Sequence, residues 1–261
     1  MSEAKESVET VAGCRVGLLR GGEGPPLLFL HGARGAGVWL PFMRRLAERF
    51  HVIVPEHPGF GRSETPEWLD NVGDLAFFYL DFIDALGLGK IHLVGNSMGG
   101  WIAAELAVRN TASLATLTLV TPACIHVAGA PKGDIFMWSR EEVARNLFFD
   151  AKFTETMLAQ TLSDEEQQRM LKNALIMAKL AWQPRLYDPH LAKWLHRINR
   201  PTLLIWGDAD KVIPPAYGPA FRDLIPGARL EMFPRCGHLP HVERADAFAQ
   251  CVIGFIDGAR P

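Results

Sequence analysis

The amino-acid sequence predicts an α/β protein: a doubly wound, mostly parallel sheet with a helical cap inserted into it. Three observations carry the prediction. Short apolar runs without a polar face (27–30, 52–54, 114–120, 202–206) alternate with helix-like segments, as strands buried on both faces do. The alternation stops between about 123 and 199, where only helix-like segments occur, and then resumes. Between the halves, the buried run Ile91–Val94 leads into Gly95-Asn96-Ser97-Met98-Gly99, and the helix-forming stretch Trp101–Val108 follows.

Taken in order, residues 1–10 read as frayed, and Cys14–Leu19 as a short strand. A Gly/Pro turn at 21–26 leads to the buried strand Leu27–Leu30, which ends at His31-Gly32-Ala33-Arg34-Gly35-Ala36-Gly37. A helix is expected around Trp39–Phe50, then the strand Val52–Val54 and the loop Pro55–Ser63. Leu75, Phe78, Tyr79, Phe82, Ile83 and Leu86 recur at helical spacing, predicting a helix over 74–86. In the cap, helices are expected over 140–149, 164–180 and 185–197, the middle one opened by Ser163 as N-cap with an acidic first turn. The last strand is placed at 229–233. The final helix has Pro240 near its first turn, with Val242, Ala245, Phe248, Ala249, Val252 and Ile256 on one face. The expected domains are a core of residues 1–122 plus 200–261 and a cap of residues 123–199.

Composition narrows the function. The chain has 261 residues, 48% of them hydrophobic, and 27 basic against 29 acidic residues leave a formal charge of −2. That size can bury a large core, and that balance argues against nucleic acid or an anionic membrane as partner. The N-terminus is polar and lacks a signal-peptide pattern, and no apolar stretch approaches the roughly 20 residues a membrane span needs. Cys14, Cys124, Cys236 and Cys251 are scattered without a C-x-x-C pair, so inert thiols in the cytoplasm are expected, with no metal and no cofactor. A small-molecule substrate is the expected partner, and the sequence leaves a homo-oligomer open.

Ser97 stands at the apex of a strand-turn-helix, where glycines at 95 and 99 leave room for the two elements to cross. The alternative is a serine that merely caps a helix. A hydroxyl is a poor nucleophile unless a base lies within hydrogen-bond reach. His238 follows the last strand in Pro234-Arg235-Cys236-Gly237-His238, again at a strand's carboxyl end, where ligands of such sheets bind. Asp210, in Trp206-Gly207-Asp208-Ala209-Asp210, is placed to hold the imidazole, with Asp208 as the other candidate acid. His57 and His241 read as structural or solvated.

Leu30-His31-Gly32, Pro58-Gly59-Phe60-Gly61-Arg62-Ser63, Gly95–Gly100, Trp206-Gly207-x-x-Asp210 and Gly237-His238 come in the order of a known pattern. On these motifs the chain resembles cap-bearing α/β-hydrolases, over nearly its whole length apart from the cap. The resemblance implies Ser97, Asp210 and His238 as catalytic triad, favouring Asp210 over Asp208. It also implies an oxyanion hole made by the backbone N–H groups of Met98 and Ala33, with His31 bracing that loop. Glu56 stands where many relatives carry Asp, a change expected to affect loop hydrogen bonding.

Three functions follow: an esterase for smallish, fairly hydrophobic esters, a carbon–carbon hydrolase, or a non-catalytic ligand receptor. The second is suggested because the Gly95–Gly100 and Arg235–His238 segments resemble enzymes that cleave ring-fission products of aromatic degradation. Those enzymes usually carry Trp after the catalytic His, where this chain has Leu239, and their carboxylate-binding Arg has no secure counterpart, Arg34 or Arg169 being substitutes. The expected pocket comprises His31, Arg34, Asn96, Trp138 and Leu239. The cap residues Phe136, Met137, Phe148, Phe149, Met177 and Trp182 add apolar lining or simply pack the cap.

Overall fold

The computed structural model describes residues 4–259. The first three residues of the N-terminal segment, and so part of its expected fraying, lie outside the described residues. Eight strands form one sheet in the order β1-β2-β4-β3-β5-β6-β7-β8. They are β1 (Lys5–Val11), β2 (Cys14–Gly21), β3 (Pro26–Leu30), β4 (His51–Pro55), β5 (Ile91–Asn96), β6 (Leu114–Val120), β7 (Thr202–Gly207) and β8 (Arg229–Phe233). β1 and β2 are antiparallel to their neighbours, and every pairing from β4 onward is parallel.

The strands read as two-sided because they are. In β3, Leu27 and Phe29 enter the core on one face, while Leu28 and Leu30 enter the core on the other. β4 divides likewise, with Val52 and Val54 on one side and Ile53 on the other. Helices α1 (Pro41–Leu46) and α9 (Ala245–Gly258) cover the first face; α2 (Val72–Ala85), α3 (Met98–Arg109) and α7 (Tyr217–Leu224) cover the second. α2 is opened by Asn71, whose side chain accepts from the Asp74 N–H while Asp74 accepts from the Asn71 N–H. This reciprocal capping satisfies two of the donors that a helix start leaves free.

Between β6 and β7 lie α4 (Arg140–Leu147), α5 (Ala151–Ala159), α6 (Asp164–Ala181) and a short 3₁₀ helix (Ala192–Arg197), with no strand among the described residues. Ser163 caps α6, its hydroxyl accepting from Glu166 N–H and Glu166 returning to Ser163 N–H. No helix among the described residues is long and apolar enough to cross a membrane.

Four expectations need correction. Residues 5–10 are not frayed but belong to β1, an edge strand whose side chains are largely exposed. The helix expected over 39–50 is confined to 41–46. The segment 185–197 is helical only over its last six residues, two turns of 3₁₀ helix, since Leu186 has φ 58° and Pro189 follows soon after. The last predicted helix is two: α8 (Pro240–Glu243) stops at Arg244 (φ −130°, ψ 43°) before α9 begins.

Candidate active site

β5 delivers Ser97 and α3 leaves from it. Ser97 has φ 53° and ψ −111°, a conformation that costs a non-glycine residue on the order of 1–3 kcal/mol. Its surroundings hold it there. Ser97 N–H donates to Val120 C=O at 2.9 Å, and its own carbonyl accepts from Trp101 N–H at 3.0 Å. A Cβ on Gly95 would lie 2.3 Å from Gly99 O, and one on Gly99 would lie 2.1 Å from Leu30 O, so neither position admits a side chain. The result lifts a half-buried hydroxyl to the carboxyl end of the sheet. That hydroxyl makes no hydrogen bond within the described residues.

The loops after β7 and β8 touch, since a Cβ on Gly207 would meet Gly237 O at 2.2 Å. There His238 Nδ1–H donates to Asp210 Oδ2 at 2.8 Å, both residues being 3% exposed. Asp210 Oδ1 accepts two backbone N–H groups, from Val212 at 2.8 Å and Ile213 at 2.9 Å. Both carboxylate oxygens are therefore committed, and the imidazole is left with Nε2 as its free nitrogen. Asp208, the other candidate acid, is exposed and turns to Cys236 N–H at 3.4 Å. Thr121 joins this pair to the serine strand: its hydroxyl donates to His238 C=O at 3.2 Å and accepts from Asn96 Nδ2 at 3.2 Å.

The loop after β3 passes over Ser97, the position of a Cβ on Gly32 being 3.4 Å from Ser97 Cβ. Neither Ala33 N–H nor Met98 N–H donates to a protein acceptor among the described residues. Beneath the loop, His31 and His57 stack at 3.7 Å. His57 N–H donates to His31 Nε2 at 3.0 Å, which places the His31 proton on Nδ1, donated to Gly32 C=O at 2.7 Å. His57 Nε2–H donates to His31 C=O at 2.9 Å, and its Nδ1 accepts from Tyr79 O–H at 2.5 Å. Every ring nitrogen is matched to a neutral tautomer. Accordingly burial pushes His31 down to about 4, against the opposing pull of the Gly32 carbonyl and Glu56. Burial, then the neighbouring His31, holds His57 well below the usual histidine range. Glu56 also serves loop hydrogen bonding, its Oε2 accepting from Arg62 N–H at 3.1 Å and from Arg62 Nε at 3.0 Å.

The expected pocket residues divide. His31 is 2% exposed with both nitrogens committed to main chain, so its ring supports the loop instead of facing a ligand. Asn96, also 2% exposed, has its amide nitrogen turned to Thr121 and Val120, which makes it a brace between strands. Arg34 is exposed and pairs with no carboxylate among the described residues, while its carbonyl accepts from Asn173 of α6 at 3.0 Å. Trp138 packs against Gly133, and Leu239 is half-buried at the start of α8 beside His238. The aromatic residues of the insertion mostly pack on one another: Phe136 against Trp182, both under Arg185, and Phe148 against Phe153. Met137 is 68% exposed and Met177 is buried in the core. His241 is structural, its ring among Phe29, Phe42 and Phe248, and burial pushes it down to about 3.

Sequence reasoning missed two residues that shape the site, Thr121 and Glu243. Thr121 follows β6 directly with φ 43°, and the strand-end rule used for the other loops would have found it. Glu243 sits five residues after His238 and accepts from Gly237 N–H at 2.7 Å.

A family model for the alpha/beta hydrolase fold matches residues 25–245. The chain belongs to the α/β-hydrolase fold family, a family of hydrolases. It is 30% identical to the 2-hydroxy-6-oxo-6-phenylhexa-2,4-dienoate hydrolase of Comamonas testosteroni, over 90% of this chain and 88% of that one. It is equally 30% identical to lipase 1 of Psychrobacter immobilis, over 87% and 75%. Among solved structures, a bacterial membrane phospholipase A superposes with a TM-score of 0.85 at 31% identity, covering 98% of this chain and 87% of that one.

Proposed function

We propose that the chain is a serine hydrolase acting on smallish, fairly hydrophobic carboxylic esters, with Ser97 as nucleophile, His238 as base and Asp210 as the group that orients it. The observation that carries this reading is the buried Asp210–His238 hydrogen bond of 2.8 Å at the same sheet end as a serine held at φ 53°. Similarity to a lipase and a phospholipase supports the ester.

In this mechanism Ser97 Oγ adds to the ester carbonyl as its proton passes to His238 Nε2. The N–H groups of Ala33 and Met98 stabilise the oxyanion, a task suited to donors fixed before charge develops. Collapse breaks the C–O bond, and the imidazolium protonates the departing alcohol. Water, deprotonated by the same imidazole, then cleaves the acyl-enzyme, releasing the acid and restoring Ser97. Asp210 stays ionised and favours the imidazolium formed in both halves. Residues 123–199 form the cap over this centre. The four cysteines, none in a disulfide, support a reducing, cytoplasmic setting.

A second reading, hydrolysis of a carbon–carbon bond in a vinylogous 1,5-diketone acid, is favoured by the similarity to the Comamonas testosteroni hydrolase. Arg34, exposed and without a carboxylate partner, is the residue available to such a substrate's acid group. A fluorophosphonate should label the protein and fail to label Ser97→Ala; a folded protein that resists labelling would exclude the serine mechanism. Turnover of p-nitrophenyl butyrate in preference to the diketone acid is expected. The reverse preference would install the second reading.

A further inference from the structure

Glu243 ends α8 and is 7% exposed, yet no cation pairs with its carboxylate among the described residues. Its partners are backbone N–H groups from two places in the fold and, as a weaker donor, the Cys236 thiol, whose Sγ lies 3.9 Å from Oε1. Oε1 accepts from Gly237 at 2.7 Å, in the loop that carries His238. Oε2 accepts from Phe149 at 2.9 Å and from Asp150 at 3.0 Å, where the chain passes from α4 to α5. A fourth bond crosses the same seam, from His238 N–H to Leu147 C=O at 2.8 Å. The seam is tight: a Cβ on Gly237 would sit 2.5 Å from Leu147 O and 2.9 Å from Glu243 Oε1. The peptide just before the imidazole is thus fastened to the cap by one buried carboxylate and by the direct bond from His238 N–H to Leu147 C=O.

We propose that Glu243 is a positioning residue that couples the placement of the cap to the placement of the His238 imidazole over Ser97. The proposal rests on His238 acting as the base. Three N–H groups can share one carboxylate because it offers about four acceptor positions, and their dipoles stabilise the buried charge. An amide cannot replace it. In Glu243→Gln one oxygen becomes an NH₂ group, so either Gly237 or the Phe149–Asp150 pair faces a donor instead of an acceptor. Whichever way the amide turns, the side-chain bridge is cut and only the direct bond from His238 N–H to Leu147 C=O is left across the seam, while side-chain volume is kept.

The test compares Glu243→Gln with the unaltered protein on p-nitrophenyl butyrate, with turnover counted per site acylated in the burst. A fall in kcat of about 10- to 100-fold is expected, because a misplacement of about 1 Å can cost 10²-fold, with KM within threefold. Acylation and deacylation should slow together, since His238 serves both. A purely structural role would reduce the number of titratable sites and leave kcat per site within threefold of the unaltered protein, which would overturn the proposal. A second measurement needs no variant. In the unaltered protein, the amides of Gly237, His238, Phe149 and Asp150 should exchange with deuterium in one opening event, their protection factors agreeing within tenfold. Separate opening of the cap pair and the loop pair would also overturn it. If Ser97→Ala keeps full turnover, the reading of the centre fails instead, and the exchange result still decides whether the bridge exists.

Discussion

Replacing Asp210 by Asn isolates what the carboxylate does, because the surroundings decide which way the amide faces. Oδ1 accepts from Val212 and Ile213 N–H groups at 2.8 and 2.9 Å, so the amide oxygen will stay there and keep two good hydrogen bonds. Its NH₂ must then occupy the place of Oδ2 and point at His238 Nδ1, 2.8 Å away. A donor facing Nδ1 forces the imidazole proton onto Nε2, the nitrogen that receives the proton of Ser97 in the proposed mechanism. The charge that steadies the imidazolium is removed as well. If the proposed triad operates, the same exchange lowers kcat by about 10⁴-fold, or roughly 5.5 kcal/mol of transition-state stabilisation. Folding should suffer far less: the one charge-assisted bond lost corresponds to about 2 kcal/mol, a fall in melting temperature of several degrees. The assay is steady-state hydrolysis of p-nitrophenyl butyrate on protein shown to be folded by calorimetry, with the imidazole tautomer read from nitrogen chemical shifts. A kcat within tenfold of the unaltered protein, or a proton still on Nδ1, would refute the assigned role of Asp210.

Three further outcomes are expected. Gly99→Ala would place a Cβ 2.1 Å from Leu30 O and 2.6 Å from His31 O, main-chain atoms that cannot swing away. Denaturation in urea should show a loss of at least about 3 kcal/mol, and an unchanged midpoint would contradict the packing of the elbow. Tyr79→Phe leaves the buried His57 Nδ1 without its donor, and a loss of about 1–3 kcal/mol is expected, read as a lower urea midpoint at constant slope. Finally, His31, at about 4, and His241, at about 3, are neutral when folded but titrate near 6.5 when unfolded. The unfolded chain therefore binds more protons below pH 6.5, and stability must fall as pH drops from 6.5 toward 4, by roughly 3 kcal/mol for His31 alone. Stability that stays level between pH 7 and 4.5 would rule out buried neutral imidazoles at these positions.

Most of the sheet was legible because β3 to β7 are covered on both faces and so written almost wholly in apolar residues. β1 was not, since Lys5 to Thr10 lie on an exposed edge and need no apolar pattern; only pairing with β2 makes them a strand. α5 escaped for the same reason, having no buried residue to set a period. The triad candidates could be read because each follows its strand immediately. Asn96 could not, because whether its amide faces the pocket or Thr121 depends on Val120 and Thr121 at the end of β6, 24 and 25 residues further along the chain. Glu243 was hidden for a similar reason, as its partners in the insertion lie 93 and 94 residues earlier.

The insertion is also fastened away from the histidine loop. Gly133 N–H donates to Val212 C=O at 2.8 Å, beside the anchor of Asp210. Asn173 and Lys172 of α6 reach the turn at Gly61 and Ser63. For anyone exchanging this insertion between relatives, these fastenings fix where the chain can be cut. A graft seamed at 122 and 200 would carry away Gly133, Leu147 and the Phe149–Asp150 amides together, and the recipient's acid and histidine loops would lose their outer supports. A graft confined to residues 151–171 leaves all of them in place.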